Sequence, residues 1–371
     1  MRKHLLAVLP FALLNACDRA SETPATEVAP PGVEIREVAA ADGYGEEGDV
    51  VKDVAFWAHP NVNFASLVLA ATDRGLATYN IEYGEPGASA EFEGAKSVDV
   101  AYAGEGAAAR GFAIVEEDGG DFRFYEIDNA SMALWLRPSL VIAGAGDGFC
   151  AGSGGENADF TIHRLAGERM VSHDVRVSDA GISSVASTTT TLPGETRHCA
   201  VDARSGAVYG IDAGGALFVL DAPGASARKI AETGIAGAKD IAAFAMVSAS
   251  AGDAPCCTRL AVLSPDNADV YLFDGGDGHA LGAVQVKATF DLAAITSASA
   301  LGAGAGNFGG VFRDGVMALA TDAGAPIRLV AWNGVIDATE LELGEVVSAR
   351  PAAQPVEDED FSVISIEVIE P

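Results

Sequence analysis

Basic residues are scarce in this chain. Its 371 residues hold 23 Lys and Arg against 53 Asp and Glu, so the formal net charge is −30 at pH 7. A surface with this charge repels the phosphates of nucleic acids and of anionic lipids, which excludes a nucleic-acid partner. Aromatic residues reach only 7%, so the composition is not typical of an aromatic-rich carbohydrate binder. The hydrophobic fraction of 49% excludes a disordered chain.

Motifs of the common catalytic and cofactor sites are also missing. The sequence has no CxxC, HxH or HExxH, so its five Cys and six His signal no zinc or haem site. It has no GxSxG, and none of its glycine-rich runs lies between a strand and a helix, as nucleotide binding requires. His59 is interpreted as a packed residue at a strand end. His198 is interpreted in the same structural way, with a functional role as the alternative.

The start of the chain is typical of a secretory signal. A basic stretch at residues 2–4 precedes an apolar run at residues 5–14, and Leu14-Asn15-Ala16-Cys17 follows. This order describes a signal peptide, and the apolar run is shorter than the roughly 20 residues of a membrane span. The Cys after the small residue resembles the lipobox of bacterial lipoproteins, which implies lipid attachment at Cys17. An ordinary signal peptide with an incidental Cys is the alternative.

These features predict a protein of the bacterial cell envelope, anchored to the lipid bilayer through an acylated Cys17 and facing the periplasm or the cell exterior. Residues 1–17 are the signal peptide and lipobox, and residues 18–45 form an acidic tether rich in Pro and Ala. Residues 344–371 form an acidic C-terminal tail. Each flanking segment holds a candidate strand for closing a ring of sheets, at residues 33–38 and 361–370.

Four cysteines remain in the body of the protein, which the signal places in an oxidising compartment. They are Cys150, Cys199, Cys256 and Cys257, an even number that allows two disulfides. A bond between the adjacent Cys256 and Cys257 would be strained. Spacing alone leaves the pairing open.

Short strands fill the chain beyond residue 50. Apolar or alternating runs such as residues 66–71, 122–127 and 269–273 alternate with Gly, Asp and Asn turns, and long helical periodicity is nearly absent. Similar units of about 40–50 residues, the length of a propeller blade, recur. They start near Asp53, Asp99, Gly148, Cys199, Ile241 and Ile295. The pattern predicts an all-β fold, a six-bladed β-propeller over residues 46–343, with a β-sandwich as the alternative.

Motifs at the starts of these units resemble those of the β-propeller phytases. That family opens its first blade with D-D-P-A-I-W-x-x-P and continues to D-K-K-G-G-L-x-x-Y. The chain has K-D-V-A-F-W-A-H-P at residues 52–60 and D-R-G-L-A-T-Y at residues 73–79. Matches to later blades follow in the family's order, at residues 97–102, 147–150, 197–204 and 239–244.

The resemblance implies a calcium-dependent 3-phytase that hydrolyses phosphomonoesters of phytate or a related inositol phosphate, a polyanion that arrives loaded with calcium. Because Ca²⁺ takes about six to eight oxygen ligands, carboxylates from several blades must converge. The matching positions imply calcium ligands at Asp53, Asp99, Asp202 and Asp240, with Asp212 as a fifth. Arg74 and Arg197 would bind phosphate, and Cys150 and Cys199 would form a disulfide between adjacent blades. We expect a monomer.

The chain departs from the family pattern at several ligand positions. Lys52 and Arg197 stand where the family has carboxylates, and Ala203 and Ala242 replace two more. Fewer oxygens and added cations weaken a calcium cluster. Two hypotheses therefore stand side by side: a phytase-like hydrolase with a depleted site, and a non-catalytic envelope propeller that binds a ligand or a protein. A sugar-lactone or quinone-dependent propeller enzyme has no supporting motif.

Overall fold

Six small antiparallel sheets stand in a ring, and the predicted six-bladed β-propeller is confirmed. The structure is a computed structural model that describes residues 33–138, 142, 146–155, 157–247, 258–341, 345–347 and 350. The predicted signal peptide with Cys17, the pair Cys256 and Cys257, and the candidate closing strand at residues 361–370 lie outside the described residues. No helix within the described ranges is long and apolar enough to cross a membrane.

Two short strands, β1 (Ile35–Ala39) and β2 (Asp42–Tyr44), precede the first blade. Blade 1 contains β3 (Val51–Trp57), β4 (Leu67–Thr72), β5 (Gly75–Asn80) and β6 (Pro86–Glu91). Blade 2 contains β7 (Ala95–Ala103), β8 (Arg110–Glu117), β9 (Phe122–Ile127) and β10 (Leu134–Arg137). Blade 3 contains β11 (Gly148–Ser153), β12 (Phe160–Ala166), β13 (Arg169–Ser178) and β14 (Gly181–Thr191).

The second half of the ring repeats this plan. Blade 4 contains β15 (Thr196–Val201), β16 (Val208–Asp212), β17 (Ala216–Leu220) and β18 (Arg228–Glu232). Blade 5 contains β19 (Asp240–Phe244), then, after the separate β20 (Met246–Val247), β21 (Arg259–Leu263), β22 (Val270–Asp274) and β23 (Ala280–Lys287). Blade 6 contains β24 (Ala300–Gly304), β25 (Val316–Ala320) and β26 (Ile327–Ala331).

The hydrophobic core is divided into six clusters, one between each pair of neighbouring blades. Successive side chains of a strand point to opposite faces, so each blade feeds both of its neighbours. In β4, Leu67 and Leu69 pack toward blade 2, whereas Val68 and Ala70 pack toward blade 6. Burial on both faces explains why the strands read as continuous apolar runs in the sequence.

Close packing between blades 1 and 2 depends on one glycine. The indole of Trp57 is completely buried at this interface. A Cβ on Gly111 of β8 would lie 2.0 Å from the indole nitrogen, so a larger residue there has to displace the indole.

The N-terminal segment closes the ring. β2 pairs antiparallel with β26 and becomes the fourth strand of blade 6, with Asp42 opposite Leu329 and Tyr44 opposite Ile327. β1 instead pairs in parallel with β23 and gives blade 5 a fifth strand. The closing strand therefore lies just after residues 33–38, the candidate predicted from the sequence. Closure of this kind removes an unpaired sheet edge.

The chain leaves blade 6 through the helix α1 (Trp332–Thr339) and a short strand, β27 (Glu345–Val346). Trp332 is fully buried and stacks on Phe244 of β19, with 3.7 Å between the ring centroids. β27 pairs antiparallel with β20, immediately beyond the inner strand of blade 5. The C-terminal segment thus packs across the inner end of blade 5.

A disulfide joins blades 3 and 4. Cys150 in β11 and Cys199 in β15 are bonded, with their Cα atoms 5.6 Å apart. Both residues lie in the cluster that fills this interface. The bond closes a loop across a sequence separation of 49 residues.

We expect the free energy of unfolding of the variant Cys150→Ser/Cys199→Ser to be lower by about 2–5 kcal/mol, because the disulfide limits the conformations of the unfolded chain. Urea unfolding followed by circular dichroism measures the change. Wild-type protein in reductant should match the variant, and reductant should leave the variant unaffected. An unchanged urea midpoint in the double variant would contradict this role.

Candidate functional site

A central channel of about 900 Å³ runs between the inner strands of the blades. These strands are β3, β7, β11, β15, β19 and β24, and each contacts the inner strand of the next blade around the ring. Backbone and side chains of all six line the channel. Its volume exceeds that of the cavity on the outer part of blade 1.

Three of the predicted calcium ligands line this channel. Asp53 is the third residue of β3, Asp240 is the first of β19, and Asp99 lies in the middle of β7. His198 of β15 stands beside them, with its Nδ1 3.4 Å from Oδ1 of Asp240. The structure thus brings together aspartates from blades 1, 2 and 5, which we name the aspartate trio.

Each member of the aspartate trio makes the same two hydrogen bonds. Its Oδ1 accepts the N–H of the next residue in its own strand, and its Oδ2 accepts an N–H from the inner strand of the next blade. The bonds between blades measure 2.9 Å from Val98 to Asp53, 2.7 Å from Ala151 to Asp99 and 2.8 Å from Leu301 to Asp240. The bonds within a strand come from Val54, Val100 and Ile241, at 2.7–2.8 Å. The trio therefore joins neighbouring blades.

Two lysines reinforce the same joints. Lys52 donates from Nζ to the carbonyl of Ala95 at 2.7 Å, and Lys239 donates to the carbonyl of Ala298 at 2.9 Å. Each lysine precedes a member of the trio, so a Lys-Asp pair binds one carbonyl and one N–H of the following blade. The sequence reasoning treated Lys52 only as a lost carboxylate. The recurrence of Lys-Asp at residues 52–53 and 239–240 is the signal that could have revealed its role.

Burial perturbs the acidity of the trio. It raises the pKa of Asp99 to about 6, and the negative charge of Asp240 adds to the rise, whereas the N–H groups of Ala151 and Val100 oppose it. Burial also raises the pKa of Asp53 well above its ordinary value, with the charge of Asp240 as the next cause. The three carboxylates repel one another, so a cation placed among them would relieve that repulsion.

Asp202 and Asp212 lie apart from the trio. Asp202 follows the last residue of β15, at the opposite end from Asp240 in its strand, and does not line the channel. Its buried carboxylate accepts the N–H groups of Arg204 and Ser205 and the hydroxyl of Thr258. Asp212 ends β16 and accepts the N–H groups of the turn that follows it. Both side chains shape turns.

The predicted phosphate-binding arginines also lie outside the channel. Arg74 lies in the turn between β4 and β5, its side chain is 65% exposed, and it pairs with Asp49. Arg197 is equally exposed and pairs with Glu195 at 2.8 Å. Neither guanidinium reaches the aspartate trio, so the structure does not assemble the predicted phosphate site around it.

Sequence reasoning missed Arg350, which lines the other end of the channel. Its Nε donates to the carbonyl of His59 at 2.7 Å, and its other nitrogens bond to Asn63 and Ser66. Val347 donates to the carbonyl of Ala245 at 2.8 Å, so the C-terminal segment is fixed to blade 5 and to blade 1. His59 also donates from Nε2 to the carbonyl of Asn129 in blade 2, at 2.8 Å, which agrees with its interpretation as a packed residue.

Comparison of the chain with models of known protein families and with curated proteins finds no match. The fold and the site therefore define the class, a six-bladed β-propeller whose central channel carries three aspartates.

Titration of Asp99 should make the free energy of unfolding depend on pH. Its pKa in the folded protein, about 6, lies above the ordinary value of about 3.9, so the folded state binds the proton more tightly. The contribution of Asp99 to the free energy of unfolding is therefore greatest below about pH 4, and it is lost as the pH rises to about 6. Asp99→Asn should make the slope in urea unfolding between pH 4 and 8 shallower, and the part that remains is expected from Asp53, whose pKa is also raised. The matched control is Asp266→Asn in an exposed turn, and identical slopes in all three proteins would contradict the assignment.

Proposed function

We propose that the protein is a ligand-binding propeller of the cell envelope whose aspartate trio receives a cation, and that it does not turn over a substrate. One observation carries this proposal: every carboxylate oxygen of the trio accepts a backbone N–H. Side chains held in this way stabilise the ring. They still offer a second lone pair on each oxygen to a bound cation.

The distribution of positive charge supports binding of a cation over binding of a phosphate ester. An anion that approaches the trio meets three carboxylates, and the two arginines proposed for phosphate are elsewhere and paired with acids. Lys52 and Lys239 donate to backbone carbonyls of neighbouring blades. Phosphoryl transfer needs positive groups around the transferring phosphate, and within the described residues no lysine or arginine forms an ion pair with the trio; the one basic side chain in contact with it is His198, beside Asp240.

Calcium is the first cation to test. Carboxylates are the ligands that hard cations such as Ca²⁺ prefer, and the trio offers three from three blades. Three aspartates supply fewer than the usual six to eight oxygens, so water would complete the shell, and we expect weak affinity.

Calcium-dependent hydrolysis of phytate or a related inositol phosphate is the second candidate. The convergence of Asp53, Asp99 and Asp240 in one channel favours it, since the resemblance to the β-propeller phytases implies calcium ligands at these positions. A metal ion would polarise the scissile bond and an attacking water. This candidate requires that the trio work without Asp202, Arg74 and Arg197.

Calcium titration of the full chain separates the two candidates. At about 100 times its Kd, calcium should stabilise the wild type by about 2.7 kcal/mol in thermal unfolding, and release no phosphate from phytate above a control without protein. Asp240→Asn should lose the calcium response, and Asp212→Asn should keep it. Calcium-dependent phosphate release that Asp240→Asn abolishes would establish the hydrolase instead. No response to calcium would refute the cation site.

We also propose that a lipid on Cys17 anchors the protein to the membrane. Several acyl chains on one cysteine give durable binding, since each buried CH₂ contributes about 0.8 kcal/mol. Wild-type protein should remain with membranes after a high-salt wash, because the lipid does not depend on electrostatic attraction. A chain of net charge −30 is not attracted to anionic headgroups in any case. Cys17→Ser should move it to the soluble fraction. The same distribution for both proteins would contradict the anchor.

A further inference from the structure

A second cavity, of about 380 Å³, opens on the outer part of blade 1, away from the channel. One wall comes from β5 and the start of β6, and the other from β2 and the segment that leads to β3. The pocket therefore lies where the N-terminal closing strand meets blade 1. Its volume is within the range of pockets that hold small molecules, about 300–1,000 Å³.

Three of the seven tyrosines in the chain line this pocket: Tyr44, Tyr79 and Tyr83. The side chain of Tyr83 is exposed, at 67%, and presents an open aromatic ring. Tyr44 is buried and donates its hydroxyl to the carbonyl of Ile81. A Cβ on Gly84 would lie 2.6 Å from the ring of Tyr44, and this residue has a φ of +66°, so glycine is needed where the wall turns.

Tyr79 forms a second aromatic part of the pocket wall. The residue is only 6% exposed, and its ring lies against that of Tyr44 with 6.2 Å between the ring centroids, so the hydroxyl is its polar group beside the pocket. That hydroxyl lies 3.4 Å from where a Cβ would stand on Gly45, a residue with a φ of +89°. Burial and the charge of Asp49 raise the pKa of Tyr79, so its hydroxyl stays protonated and can both donate and accept a hydrogen bond.

The charged groups of the pocket restrict the chemistry of the ligand. Asp42, Glu46 and Asp49 line it together with Arg74, which pairs with Asp49. The three carboxylates outnumber the guanidinium, so an inorganic anion would be repelled, whereas the Arg74–Asp49 pair offers donors and acceptors side by side. A neutral polyol fits this pair, because each of its hydroxyls can donate a hydrogen bond to the carboxylate or accept one from the guanidinium.

We propose that this pocket, formed by Tyr79, Tyr83, Arg74 and Asp49, binds a neutral pyranose. The C–H face of the sugar packs on the exposed ring of Tyr83, as apolar faces do on aromatic side chains. The sugar hydroxyls bond to the Arg74–Asp49 pair and to the hydroxyl of Tyr79. The overall aromatic content of 7% conceals this local concentration of tyrosines.

Saturation-transfer NMR on the full chain in sugar-free buffer tests the proposal with the methyl pyranosides of glucose, galactose, mannose and N-acetylglucosamine. At least one should receive saturation on its ring protons. Tyr83→Ala should weaken its Kd about tenfold, and Tyr79→Phe, which keeps the ring, about fivefold. Phe290→Ala removes a fully exposed aromatic ring outside the pocket and should leave the Kd unchanged.

Three results would overturn the pyranose site. The first is no saturation transfer to any of the four sugars. The second is displacement of the sugar by equal concentrations of inorganic phosphate or ethylammonium, which would assign the pocket to a charged ligand. The third is sugar binding that survives in both tyrosine variants, which would place it elsewhere on the propeller. The calcium response of the aspartate trio is measured separately, and either proposal can fail without the other.

Discussion

The inner edge of each blade is the constraint on which this ring depends. The first strand of a blade pairs on one side only, and the N–H and C=O groups on its other side need partners, because an unpaired buried backbone group costs about as much as a lost hydrogen bond. Asp53, Asp99 and Asp240 provide acceptors for the next blade, and Lys52 and Lys239 provide donors. The side chains that join the blades also set the charge of the channel.

Short apolar strands in recurring units of blade length predicted the fold, because the middle strands of a blade bury one face against each neighbouring blade. Five of the six predicted blade starts fall within inner strands, and Ile295 lies shortly before β24. The closure was harder to predict. β2 has only three residues, too few to show a period, and its partner β26 lies more than 280 residues further along the chain. No local pattern connects the two.

The site could be predicted only in part, for a geometric reason. Asp53, Asp99 and Asp240 lie within inner strands, so the ring brings them together whatever their separation in sequence. Asp202 looks similar in the sequence but follows the end of β15, and its carboxylate is used by its own turn. A displacement of a few residues along a strand moves a side chain from one end of the channel to the other.

The hydrogen bonds that the trio makes between blades also limit how it can bind a ligand. Each oxygen already accepts one N–H, which leaves one further lone pair for a cation. A ligand that drew one carboxylate toward itself would break a bond between two blades, so occupancy of the channel and the position of the blades are coupled through the same atoms. A catalytic group stabilises the charge that develops in the transition state, so it must either move toward that charge or already be positioned beside it. The carboxylates of the trio are arranged instead for the N–H groups of the next blade, and for this reason we propose that they bind a cation and do not turn over an ester.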